Sequence, residues 1–111
     1  GYIYVGTGST DTGLINKFWR FNPSDESWTS IADLPSSARM YATGFSLNGK
    51  GYIGLGGRSD FWEYDPDTDT WSEVANFPAG NRSGATALVI DGKAYIGFGD
   101  EKNDLWEFKP F

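Results

Sequence analysis

The chain of 111 residues carries five Trp, six Tyr and eight Phe, apolar area that argues against disorder, and its 15 Gly and five Pro punctuate it too often for long helices. A net charge of −6 argues against a nucleic-acid groove, which needs clustered Lys and Arg, and no run approaches the roughly 18 apolar residues of a membrane helix. Cysteine and histidine are both absent, so disulfides, zinc sites built on those residues, and Ser-His-Asp or Cys-His nucleophiles cannot come from this chain.

In chain order, Gly1-Tyr2-Ile3-Tyr4-Val5-Gly6 reads as a strand, rich in β-branched and aromatic residues and closed by glycine. Its counterparts are Gly51-Tyr52-Ile53-Gly54-Leu55-Gly56-Gly57 and Ala94-Tyr95-Ile96-Gly97-Phe98-Gly99-Asp100. The connection that follows varies: residues 7–16 form a long polar loop, whereas Arg58-Ser59 and Glu101-Lys102-Asn103 are short. Loops tolerate such insertions where strands do not. A tryptophan strand comes next, Phe18-Trp19-Arg20-Phe21, repeated as Phe61-Trp62-Glu63-Tyr64 and Leu105-Trp106-Glu107-Phe108. Being apolar on both faces, it is expected between two sheets.

Turns rich in Pro, Asp and Asn follow at residues 22–27 and 65–70. Return strands then begin at Trp28 and Trp71 and end before Pro35 and Pro78. Asp65, Asp67 and Asp69 look like the start of a calcium loop, but the sixth and twelfth positions hold Thr70 and Asn76 instead of Gly and Glu, so a structural turn is the better reading. After each proline a short loop reaches Arg39 or Arg82. Small-residue strands follow, Ala42-Thr43-Gly44-Phe45-Ser46-Leu47 and Ala85-Thr86-Ala87-Leu88-Val89-Ile90. Asn48-Gly49 and Asp91-Gly92, strong two-residue hairpin signals, join these to the next Tyr-Ile-Gly strands.

The spacing is periodic. Trp19, Trp62 and Trp106 lie 43 and 44 residues apart, and Trp28/Trp71, Pro35/Pro78 and Arg39/Arg82 each lie 43 apart. A fixed period means one supersecondary unit repeated. Four strands per unit, glycines closing the second, an aromatic-Trp-x-aromatic, then x-Pro, Trp, Pro and Arg resemble the kelch repeat. Only residues 7–16 fall outside the match. The usual glycine pair survives only at Gly56-Gly57; Gly6-Thr7 and Gly99-Asp100 depart from it.

That resemblance implies an all-β chain forming part of a β-propeller, one complete four-stranded blade with an incomplete blade on either side. Naming strands a to d outward, it implies b-c-d over residues 1–35, a complete blade over 39–78, and a-b-c over 82–111. Such a chain cannot close a propeller alone, so the expected partners include the remaining blades of a longer chain or a second copy. The d-to-a and b-to-c loops line a ligand face in kelch adaptors. Carried over by position, this nominates Arg39, Met40, Tyr41, Arg58, Arg82 and Ser83, with the insertion at residues 7–16. The competing reading is that Arg39 and Arg82 pin backbone carbonyls or a carboxylate such as Glu63.

The functional expectation is a binding module whose ligand is a protein segment or a glycan, with no cofactor and no metal. Kelch-type propellers also include copper oxidases and sialic acid epimerases. The copper type needs His and a Cys-linked Tyr that this chain lacks; an epimerase-like site needs only acid–base groups and stays open as the alternative. A third reading is a structural repeat segment with a role in assembly alone.

Overall fold

The structure, a computed structural model, describes residues 1–110. Phe111, the last residue of the third expected segment, lies outside the described residues. Among those residues the regular elements are twelve strands and no helix. They are β1 (Ile3–Gly6), β2 (Ser9–Thr10), β3 (Gly13–Leu14), β4 (Phe18–Asn22), β5 (Ser27–Ile31), β6 (Ala42–Leu47), β7 (Lys50–Leu55), β8 (Phe61–Asp65), β9 (Thr70–Val74), β10 (Thr86–Ile90), β11 (Lys93–Gly97) and β12 (Leu105–Phe108). The sheets run β1-β4-β5, β6-β7-β8-β9 and β10-β11-β12, and every neighbouring pair is antiparallel. This is a partial propeller of four-stranded blades, one complete and two incomplete. The long polar loop is not structureless, because β2 and β3 pair within it as a small hairpin.

Turn chemistry sets these connections. Asn48 and Gly49 both have positive φ, 51° and 77°, as do Asp91 and Gly92 at 52° and 74°. Those angles match the mirror-image turn whose twist suits a two-residue hairpin. The β8–β9 turn is closed by Asp65 Oδ1 accepting from the Asp67 N–H at 2.9 Å, and by Asp69 at φ 53° accepting from the Tyr64 hydroxyl at 2.6 Å. Lys50 pairs with the other Asp65 oxygen at 2.9 Å, which holds that carboxyl below its ordinary range. Each of these carboxylate contacts serves the turn.

The register corrects one sequence match. Tyr52 lies opposite Glu63 and Tyr95 opposite Glu107, but the tyrosine opposite Arg20 is Tyr4 and not Tyr2. Likewise Val5, Ile53 and Ile96 are the cross-strand partners of Trp19, Trp62 and Trp106. The first strand is thus two residues out from the match by Tyr-Ile identity. Gly6, Gly54 and Gly97 become equivalent, each opposite the first residue of the tryptophan strand. A Cβ at any of the three would collide with that neighbouring strand, onto Phe18, Phe61 or Asp104 and Leu105 respectively. Glycine here serves close approach of strands.

The chain divides into two compact units, residues 1–40 and the remainder from Tyr41. In the first, Phe18 and Leu34 are buried, and Leu34 is fixed through both its backbone groups to Asn16. In the second, Leu47, Tyr52, Leu55, Phe61, Phe77, Ala94, Ile96 and Phe108 form one core between the sheets. Phe61 and Phe108 meet at 4.5 Å between ring centroids, and Phe45 stacks on Tyr52 at 5.0 Å. Thr43 Oγ1 ties the sheets further by donating to the Ala85 carbonyl at 2.9 Å. The repeating tryptophans do not occupy this core: Trp62 is half-buried, while Trp28 and Trp106 are exposed. Phe61, one residue earlier than Trp62, points inward instead and is fully buried.

Candidate functional site

The chain leaves β7 through three left-handed residues, Leu55, Gly56 and Gly57, at φ 64°, 75° and 85°. Such a run, costly for Leu55 but free for the glycines, turns the backbone sharply at the sheet end. It presents Arg58, Ser59 and Asp60 before β8 begins. The loop from β9 to β10 passes alongside. The Arg82 N–H donates to the Arg58 carbonyl at 3.3 Å, and the Gly57 N–H donates to the Arg82 carbonyl at 2.9 Å. The Phe77 N–H bonds the Ser59 carbonyl at 2.8 Å. Two loops are thereby clamped, and between them lies an open groove of about 280 Å³ lined by Gly57, Arg58, Ser59, Asp60 and Asn81.

Arg82 sits beneath this ladder and is only 3% exposed. Its Nη1 donates to Asp104 Oδ1 at 2.6 Å and to the Phe98 carbonyl at 3.0 Å, while Nη2 donates to Asp104 Oδ2 at 2.7 Å. The guanidinium also lies 5.3 Å from the Phe77 ring centroid. A paired fork of this kind is geometrically demanding and strong. The guanidinium, aided by the Trp106 indole N–H at 2.8 Å, holds the Asp104 carboxyl well below the usual carboxylate range. Arg82 Nε has no partner among the described residues.

The six nominated residues are placed differently. Arg58 is exposed and lines the groove; no ion pair engages its side chain among the described residues. Ser83 is half-buried, donates its N–H to Asp100 Oδ2 at 2.8 Å, and brings its Oγ close to Gly57, 3.7 Å from where a Cβ would stand there. Tyr41, 67% exposed and at φ 59°, accepts at its carbonyl from the Gly84 N–H at 3.1 Å. Arg58, Arg82 and Ser83 are therefore gathered around Gly57, with Tyr41 joined to them through Gly84. In the first unit Arg39 is buried, donating from Nε to the Ser37 carbonyl at 3.1 Å and from Nη2 to Ser36 Oγ at 2.9 Å. Its backbone anchors the insertion, accepting from Gly8 and donating to Ile15, and the adjacent Met40 is exposed.

Burial withdraws Arg39 and Arg82 from solvent, and the carboxylate beside Arg82 is Asp104, not Glu63. Glu63 accepts instead from the Tyr52 hydroxyl at 2.6 Å. Sequence reasoning missed Ser59, Asp60 and Asn81. A signal for one of them was present: Asp-x-Trp occurs at Asp60-Phe61-Trp62 and Asp104-Leu105-Trp106, and in both the indole N–H returns to the carboxylate two residues back, at 2.9 and 2.8 Å. Among the described residues no cluster of three or more metal-ligating side chains is assembled, and no helix is long and apolar enough to cross a membrane.

Sheets of this order, with left-handed glycine loops at one end, are propeller blades. The kelch motif matches residues 51–78, from β7 through β9 to the proline that follows. The solved structure of YjhT, a kelch-type propeller, is similar to this chain with a TM-score of 0.71 and 28% identity over 86% of this chain. This chain spans 30% of the length of that one. No curated protein matches the chain. The chain carries a kelch motif in blades of the kelch propeller type, the architecture of an interaction module.

Proposed function

We propose that this chain is the part of a kelch-type binding module that holds a protein segment at the loop end of its second unit, in the groove between Gly57–Asp60 and Asn81. The observation that carries this reading is the clamp: a polar groove whose two walls are fixed to each other by backbone hydrogen bonds, while Arg58 on one wall and Asn81 on the other are exposed. Rigid scaffolds presenting such loops bind without first ordering themselves, which saves part of the entropy of association. A protein segment is favoured over a glycan because no aromatic ring lines the groove, and sugar faces are held by stacking on aromatics. Further blades, contributed by a longer chain or by a second copy, complete the propeller around this site.

The test is a peptide array and a glycan array probed with the protein and with Asn81→Trp. Asn81 is exposed, so the substitution fills the groove without touching the core. Peptide hits that Asn81→Trp abolishes at an unchanged melting temperature are expected. Hits indifferent to that substitution, or hits confined to the glycan array, overturn the reading.

A further inference from the structure

We propose that Asp100 is a positioning residue for this groove: its carboxylate takes the Ser83 N–H and so sets the wall that carries Asn81. The inference rests on the groove being the binding site and adds a residue outside it that fixes its shape.

Backbone strain marks the place. The chain leaves β11 through four successive left-handed residues, Phe98, Gly99, Asp100 and Glu101, at φ 60°, 77°, 47° and 61°. Only the glycine takes that conformation freely, and the other three persist in it because their surroundings hold them. What they meet is the end of the β9–β10 loop. The Phe98 carbonyl accepts from Arg82 Nη1 at 3.0 Å, and Asp100 Oδ2 accepts from the Ser83 N–H at 2.8 Å. Between them, Gly99 lies so close to the backbone of Ser83, Gly84 and Ala85 that a Cβ would collide with it. Three consecutive residues thus grip residues 82–85. The Lys102 N–H closes the turn onto the Gly99 carbonyl at 2.8 Å.

The Asp100 contact sets the third sheet apart from the complete blade. By the repeat, Gly57 holds the same place 43 residues earlier and has no side chain with which to accept a bond. Gly57 acts through its backbone instead, donating its N–H to the Arg82 carbonyl at 2.9 Å. The segment is therefore held at two adjacent points: Gly57 and Arg58 bond the backbone of Arg82, and Asp100 bonds the residue after it. Asn81, which lines the groove, directly precedes Arg82, so both attachments fix its place on the wall. A carboxylate acceptor makes a hydrogen bond roughly twice as strong as a neutral one, and Asp is among the few residue types that tolerate the left-handed region. An open groove needs such support, because walls loose by about 1 Å no longer present a defined site.

The chain has no cysteine, so Arg58→Cys and Asn81→Cys together place one nitroxide label on each exposed wall of the groove. Electron paramagnetic resonance of the frozen, labelled chain then reads the spread of the distance between the walls with no ligand present. A narrow spread is expected, at least doubled by Asp100→Gly, which removes the acceptor while relieving the backbone. Asp100→Asn should restore most of it, because the amide oxygen accepts the same bond. An unchanged spread in Asp100→Gly, or one as wide in Asp100→Asn as in Asp100→Gly, overturns the proposal. Binding is read with the array peptides whose signal Asn81→Trp abolishes, well below the melting temperature of each variant. Asp100→Gly should weaken them at least tenfold and Asp100→Asn should retain them. Full retention in Asp100→Gly means that the groove binds but the positioning role fails. If no array hit depends on Asn81, the groove itself fails as a binding site, a failure kept separate because the nitroxide spread is measured without a ligand.

Discussion

At the scale of single residues, position within the repeat and position within the core are different things. Phe61 is fully buried against Phe108 and Phe45, whereas Trp62 beside it is half-buried with its N–H tied to Asp60. Phe61→Ala should therefore cost about 3–5 kcal/mol, within the range for buried aromatics, and Trp62→Ala clearly less. Denaturant titration of both variants decides this, and a larger loss for Trp62 would contradict the packing described. Asp104 gives a second residue-scale prediction. Its folded pKa is depressed below the ordinary 3.8 by Arg82 and then Trp106, so the stability it contributes is present above that value and is lost as pH falls through the folded pKa. Asp104→Asn should flatten the fall in melting temperature between about pH 4 and pH 2 relative to the parent. Parallel pH profiles for the two proteins would mean that the pair with Arg82 is not made.

At the scale of elements, glycines with separate physical roles respond differently to the same substitution. Gly54 faces the Asp60 carbonyl and the Phe61 ring so closely that a methyl group cannot enter without moving β8. Gly49 has open space around its Cβ position but a φ of +77°. Gly49→Ala should cost only the backbone penalty, about 1–2 kcal/mol. Gly54→Ala should cost more and shift the amide resonances of β8, which a two-dimensional NMR spectrum reads directly; unshifted β8 peaks would remove the close-approach account. These elements also show how much the sequence exposes. Asn48-Gly49 and Asp91-Gly92 announce their hairpins because the turn needs those residue types, and the 43-residue period announces the blades. The two-residue offset of β1 stays hidden because Tyr2-Ile3 imitates Tyr52-Ile53, and only the partner of Trp19 fixes the register. Arg58 follows from its place after the glycine pair. Asn81 and Ser59 do not, since a groove arises from two loops far apart in sequence, and nothing local marks their clamp.

At the scale of the whole molecule, stability is unevenly spread. All eight residues of the hydrophobic core cluster belong to the unit from Tyr41 onward, whereas the buried apolar side chains of residues 1–40 are Phe18 and Leu34. Within the larger unit β7 is paired on both sides and carries Tyr52 and Leu55 into the core. In the smaller unit β1 pairs only with β4, and Tyr2, Ile3, Tyr4 and Val5 are exposed. Amide exchange reports the free energy of local opening, and opening is cheapest where few apolar contacts resist it. Hydrogen exchange followed by mass spectrometry should therefore find peptides covering β7 and β8 the slowest to exchange, and those covering β1, β2 and β3 the fastest. The groove loops should exchange slowly at Gly57, Phe77 and Arg82, whose N–H groups are the donors of the clamp. Fast exchange at those three amides would mean that the loops open freely, and a binding site that relies on a pre-set groove would lose its physical basis. Protection of β1 equal to that of β7 would show instead that the edge of β1 is covered in solution, by a neighbouring strand that pairs with it as β6 pairs with β7.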